Sequence, residues 1–112
     1  MKPTAAERIG HINEAIDTIR RGVHGHTLVT FTDDTILRAA VERLLGNISE
    51  ASRHIPDDLK SEAHEINWRR LADLGNWLRH AYHRTDAGLL WTMVEEDLEP
   101  LKSFVARHTQ IK

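Results

Sequence analysis

The stretch LGNWLRHAYHRTD, Leu74 to Asp86, gathers the side chains of this sequence best suited to chemistry. Arg79 stands beside His80, the chain's single tyrosine follows at Tyr82, and His83 and Arg84 come directly after. Histidine titrates near neutral pH and serves as either acid or base. Arginine keeps its charge and donates in a fork that matches phosphate oxygens. Cleaving RNA without a metal needs a base for the 2′-hydroxyl proton, an acid for the leaving oxygen and a cation for the phosphorane charge. His80 with Arg79 supplies half of such a site. A two-fold dimer would set a second pair opposite, so that identical chains furnish both acid and base. The competing reading is a solvated face with cross-helix ion pairs. Arg-His neighbours also occur at 53–54 and 107–108, where no function suggests itself.

These residues must be carried by a scaffold, and the pattern around them is helical throughout. Thr4 with Glu7 forms a capping box, and Ile9, Ile12, Ile16 and Ile19 line one face until Gly22. RGVHGHTLVTF reads as a connecting loop, since two glycines and β-branched residues break the period. A second helix is expected from a cap at Thr32 or Asp33, with Leu37, Val41, Leu44, Ile48 and Ala51 inward, stopping ahead of Pro56. PDDLKSEAHEI holds one short helix. Asn67 caps a fourth helix running through Tyr82, with Trp68, Leu71, Gly75 and Leu78 on its buried stripe. Asp86 caps a fifth, bearing Leu90, Met93, Val94 and Leu101, which Pro100 should kink or restart. The expectation is a single all-α domain over 1–112, an up-and-down helical bundle of about five helices.

On the fourth helix, at about 100° per residue, Arg69, Asp73, Asn76, His80, His83 and Arg84 fall within roughly 60° of one direction, opposite the apolar stripe. From Trp68 to Arg84 there are four arginines and one aspartate, whereas Thr85 to Pro100 holds five acids and no lysine or arginine. A local cationic patch therefore sits beside an acidic helix. Arg69, Asn76, His83 and Arg84 are the candidates to hold RNA phosphates. The whole chain, at net charge −2, offers nucleic acid no global attraction. The 112 residues contain no cysteine, which removes disulfides, thiol nucleophiles and cysteine-based metal sites. No cofactor is expected. No signal-like or membrane-spanning apolar run is present, so the cytoplasm is the expected location.

From about Arg8 to Val105 the pattern resembles the HepT-like toxins of the HEPN superfamily. Three segments in order carry the likeness: ERLLGNISEASRHIPDDL, INWRRLADLGNWLRHAYHRTD and LLWTMVEEDLEPL. The family motif is an arginine, four to six residues, a histidine, one residue, and a tyrosine. His80 and Tyr82 match the second half. Gly75 stands where the arginine is expected, followed by Asn76 as in many members, and Arg79 is the nearest replacement. The resemblance implies an HEPN-like bundle, a homodimer with its cleft between protomers, and metal-independent endoribonuclease activity. It also implies an MNT-type nucleotidyltransferase antitoxin as partner, which silences the toxin by transferring AMP to the motif tyrosine, here Tyr82. On an ideal helix Tyr82 points about 160° from His80. Either the helix ends near Ala81 or Tyr82 faces the partner's site. The alternative function is a catalytically silent subunit that only engages the nucleotidyltransferase.

The remaining conspicuous residues have simpler expectations. Trp68, Trp77 and Trp91 could stack on bases, but core or dimer packing accounts for their helical spacing. In a dimer, Trp77 and Leu78 would lie between the chains. Neither His24 with His26 nor His80 with His83 has a third metal ligand nearby in sequence. Glu50 is expected in a buried ion pair or cap, and His54, His64 and His108 at the surface. Gly46 and Gly75, inside helices at about 1 kcal/mol each against alanine, point to close helix packing.

Overall fold

Thr4 starts the first helix as its sequence predicts. In the computed structural model, which describes residues 3–78 and 87–109, α1 runs Ala5–Val23. Thr4 Oγ1 accepts from the Glu7 N–H at 3.1 Å, and Glu7 Oε1 accepts from the Thr4 N–H at 3.0 Å. These bonds from Thr4 hold the Glu7 carboxyl below its ordinary value. Ile9, Ile12, Ile16 and Ile19 are all buried. Gly25 takes a φ of 81° in the turn that follows, a conformation glycine adopts without steric cost.

The expected loop then contains a helix. α2 spans Leu28–Asp33, capped by Thr27 and Thr30: each hydroxyl accepts from the other's backbone N–H, at 3.2 and 2.9 Å. The β-branched residues argued against a helix, but Phe31 is fully buried and its ring lies 5.2 Å from Trp91. Tertiary burial outweighs a propensity deficit of a few tenths of a kcal/mol per residue. The cap of α3, Thr35–Ser52, moves accordingly from Thr32 or Asp33 to Asp34, whose Oδ1 accepts from the Leu37 N–H at 3.0 Å. Val41, Ile48 and Ala51 are buried as expected, joined by Leu45, while Leu37 and Leu44 pack at the margin.

α4 is the short helix Asp57–Lys60. Asn67 caps α5, Trp68–Leu78, its Oδ1 accepting from the Arg70 N–H at 2.9 Å. The continuation of α5 to Tyr82 and the Asp86 cap lie outside the described residues. α6, Ala87–Thr92, passes through a π-helical segment, Met93–Asp97, into α7, Leu98–Thr109. Pro100 lies in the first turn of α7. Its missing donor thus falls beside the point where the hydrogen-bond ladder changes register. The anticipated restart is this π segment, just upstream of the proline.

α1 packs on α3 and α7, α3 packs on α5, and α2 covers α6 and the start of α3. Leu90, Leu98, Leu101 and Phe104 meet the α1 isoleucines and Leu45 in one core. The all-α bundle holds among the described residues, with α2 as one helix beyond the expected set. Among the described residues, no helix is long and apolar enough to cross a membrane.

Candidate active site

α5 is the platform that leads into the reactive stretch. Arg69, Asp73 and Asn76 are exposed on one face, and Leu71 and Leu74 are buried on the other. The predicted polar face is therefore present as far as Leu78. Arg79, His80, Tyr82, His83 and Arg84 lie outside the described residues. Leu74 joins the buried stripe, whereas Trp68, Gly75 and Leu78 lie at its edges, only partly buried.

The seam between α3 and α5 is joined by polar bonds as well as by apolar packing. Ser49, almost fully buried, donates its hydroxyl to the Ala72 carbonyl at 3.1 Å and accepts from the Gly75 N–H at 3.0 Å. Arg53 adds two bonds to the same carbonyl, Nε at 3.1 Å and Nη2 at 2.9 Å. A Cβ at Gly75 would come within 3.1 Å of Ser49 Oγ, and one at Gly46 would stand 4.0 Å from Leu78 Cδ1. A side chain at Gly75 would thus crowd a hydroxyl on the neighbouring helix; at Gly46 the contact is ordinary. Gly75 is here a packing point. Ser49 and Arg53 went unrecognised as helix-joining residues. The available signal was a small polar residue one turn after Leu45, on the inward stripe of α3.

Two hollows flank α5. One, of about 490 Å³, lies along α3 and is lined by Arg43, Asn47, Glu50, Arg53, Gly75 and Leu78, among others. The other, of about 400 Å³, lies towards α6 and the π segment and includes Arg69, Asp73, Leu74, Trp77, Leu89 and Met93. Trp77 and Leu78, expected together on one partner-facing side, line different hollows. Trp68 and Trp91 serve the core: Trp68 meets Phe104 edge-on at 5.0 Å, donates Nε1 to the Lys60 carbonyl at 3.1 Å, and Trp91 meets Phe31. In the lining of the second hollow, Arg70 pairs with Asp97 at 3.1 Å. Burial raises the Asp97 carboxyl above its ordinary value, Arg70 opposes the rise and Glu96 adds to it.

Two expectations need correction. Glu50 does form an ion pair, with His54 Nε2 at 2.9 Å, but the pair is exposed because it lies on the solvent side of α3. The hydrogen bond from His54 lowers the Glu50 carboxyl. His108 is not a surface residue: its side chain is 11% exposed and its ring stands 4.6 Å from Phe104. Its Nε2 reaches Glu62 only at 3.7 Å, an ion-pair separation rather than a hydrogen bond. His26 turns to α2, with Nδ1 at 3.0 Å from Thr30 Oγ1. Among the described residues no three His, Asp or Glu side chains are grouped to hold a metal ion.

Known proteins supply the remaining comparison. The family described as ribonuclease HepT-like matches residues 12–108. A protein of Thermococcus cleftensis named "Probable ribonuclease HepT" is 37% identical over 102 residues, 91% of this chain and 93% of its own. "Putative RNase MJ1380" of Methanocaldococcus jannaschii is 37% identical over 75 residues, 67% of this chain and 69% of its own. A third relative, "Gamma-glutamylcyclotransferase and putative RNase MJ0434" of the same organism, is 28% identical over 99 residues, which cover 88% of this chain and 45% of that protein. No solved structure matches significantly. With the helical bundle, the extent of the family match and these identities together, the chain belongs to the HepT-like family of the HEPN superfamily.

Proposed function

We propose that this chain is a metal-independent endoribonuclease, the toxin of a toxin–antitoxin pair, working as a homodimer. Family membership across residues 12–108, with relatives named as ribonucleases, is the observation that carries the reading. His80 acts as acid or base, Arg79 clamps the phosphate, and the pair on a second copy completes the cleft. Arg69 and Asn76, exposed on α5, extend a polar track for the RNA backbone, with His83 and Arg84 as further phosphate contacts. An MNT-type nucleotidyltransferase antitoxin silences the site by placing AMP on Tyr82.

A specific observation favours a second reading. Gly75 occupies the motif-arginine position and its backbone is bonded to Ser49, so the usual cation is lacking there. The chain would then be a silent subunit that binds its nucleotidyltransferase. Purified protein incubated with RNA in EDTA separates the two. Under the favoured reading wild type cleaves, and a folded His80→Ala protein loses at least about 100-fold in rate, the low end of general acid–base contributions. A wild type that leaves RNA intact yet co-purifies with the nucleotidyltransferase establishes the silent subunit instead.

A further inference from the structure

The hollow between α5 and the π segment is built unlike the rest of the surface. Leu74 and Met93 form a buried apolar floor, and Leu89, 45% exposed, forms an open wall. Trp77 lines it, whereas the other two tryptophans have phenylalanine partners in the core. Its polar lining comes from Asn67, Arg69, Arg70 and Asp73. Arg69 and Asp73 are exposed there, and Asn67 uses its Oδ1 to cap Arg70, leaving its amide NH₂ as a donor. At about 400 Å³ the hollow falls at the small end of ligand pockets, roughly 300–1,000 Å³, and sets apolar side chains beside polar ones in equal number.

We propose that this hollow receives one unpaired nucleobase of an RNA strand lying along the outer face of α5, a placement that rests on the chain being an RNA-handling protein. Trp77 lines the hollow, and stacking on an aromatic ring accepts any base. Asp73 accepts from base amino or imino groups and the Asn67 amide donates to base carbonyls and ring nitrogens. Arg69 at the lip stands where the adjoining phosphate must leave the hollow, and its fork suits phosphate oxygens. A duplex cannot present a base in this way, so the substrate is single-stranded or locally unpaired RNA. Charge alone would not select the site: Arg70 is paired with Asp97 and Asp73 opposes Arg69. Stacking in the hollow has to contribute the discrimination.

The test uses full-length ¹⁵N-labelled protein and uncleavable 2′-O-methyl tetraadenylate and tetrauridylate, followed through the indole N–H resonances. The Trp77 signal, assigned by its absence in Trp77→Phe, is expected to shift while those of Trp68 and Trp91 stay put. Trp77→Ala should weaken binding about fivefold or more, with Trp77→Phe retaining most of it. Arg69→Ala should weaken binding and lower its salt dependence. Binding that leaves the Trp77 signal in place, or no binding at all, overturns the proposal. So does a Trp77 signal that moves with protein concentration instead of oligonucleotide, which would make the hollow a contact between copies. Cleavage of the unmodified oligonucleotides is measured in parallel. Cleavage without a Trp77 shift removes the base-binding hollow and leaves the ribonuclease; a Trp77 shift without cleavage does the reverse.

Discussion

Tyr82 is the residue on which regulation turns in the proposed function. AMP on its hydroxyl adds a phosphodiester anion, and Arg79, His83 and Arg84 are its sequence neighbours. Incubation with the nucleotidyltransferase and ATP should add one or more AMP masses to wild type and none to Tyr82→Phe; equal labelling of both would place the modification elsewhere. Asp97 allows a second single-residue test. Its carboxyl is raised by burial, so the stability it contributes is complete below its ordinary value of 3.8 and is lost as pH rises through the folded value. Between pH 3.5 and 6.5, Asp97→Asn should therefore gain on wild type in urea midpoint. A loss instead would mean that the Arg70 pair outweighs burial. At this scale the sequence was readable wherever partners are close along the chain. Thr4 with Glu7 and Asn67 with Arg70 are local bonds. Ser49 with Gly75 and Glu62 with His108 depend on how distant segments meet, and the packing that buries His108 leaves no trace in its neighbours' spacing.

Among the elements, the α3–α5 seam bears most directly on why residue 75 of this chain is glycine. Replacing Gly75 by alanine gains about 1 kcal/mol of helix propensity. Against that stands a Cβ 3.1 Å from a hydroxyl already bonded to Ala72 and Gly75, and such overpacking costs about 1–3 kcal/mol. Gly75→Ala should thus be destabilising by about 1 kcal/mol in wild type, and stabilising in a Ser49→Ala background where the oxygen is gone. Denaturant melts of the four proteins read this sign change as a coupling; additive effects would show that Ser49 simply moves aside. Long periodic helices such as α1 and α3 announced themselves, because several apolar residues repeat on one face. α2 did not. Six residues are too few to establish a period, and a single buried ring, Phe31, decides their conformation.

For the molecule as a whole, the half-site argument requires a second copy. One chain brings one Arg79–His80 pair, so a catalytic cleft with both acid and base has to be shared. Light scattering at micromolar concentration should give the mass of a dimer, with an isologous interface burying more than about 1,000 Å². A monomer would remove shared-cleft catalysis. The bundle was the most legible feature of all, since apolar period and caps are repeated along the chain and errors in one element do not propagate. How the chains associate was not legible in the same way. Trp77 and Leu78 are adjacent in sequence but line different hollows beside α5, since successive residues on a helix stand about 100° apart.

The π segment fixes the phase between two halves of one continuous rod. Ahead of it Trp91 must meet Phe31; beyond it Phe104 must meet Trp68. A π turn takes up one more residue per hydrogen-bonded loop than an α turn, and that surplus residue sets how far one half is rotated against the other. Removing the exposed Glu95 would return the ladder to α register and leave the halves near their present phase, whereas the same deletion in a flanking α turn would swing them by about 100° and leave only one aromatic pair. The rod's length is therefore fixed on either side of the π segment, while the segment itself is where a residue can be lost.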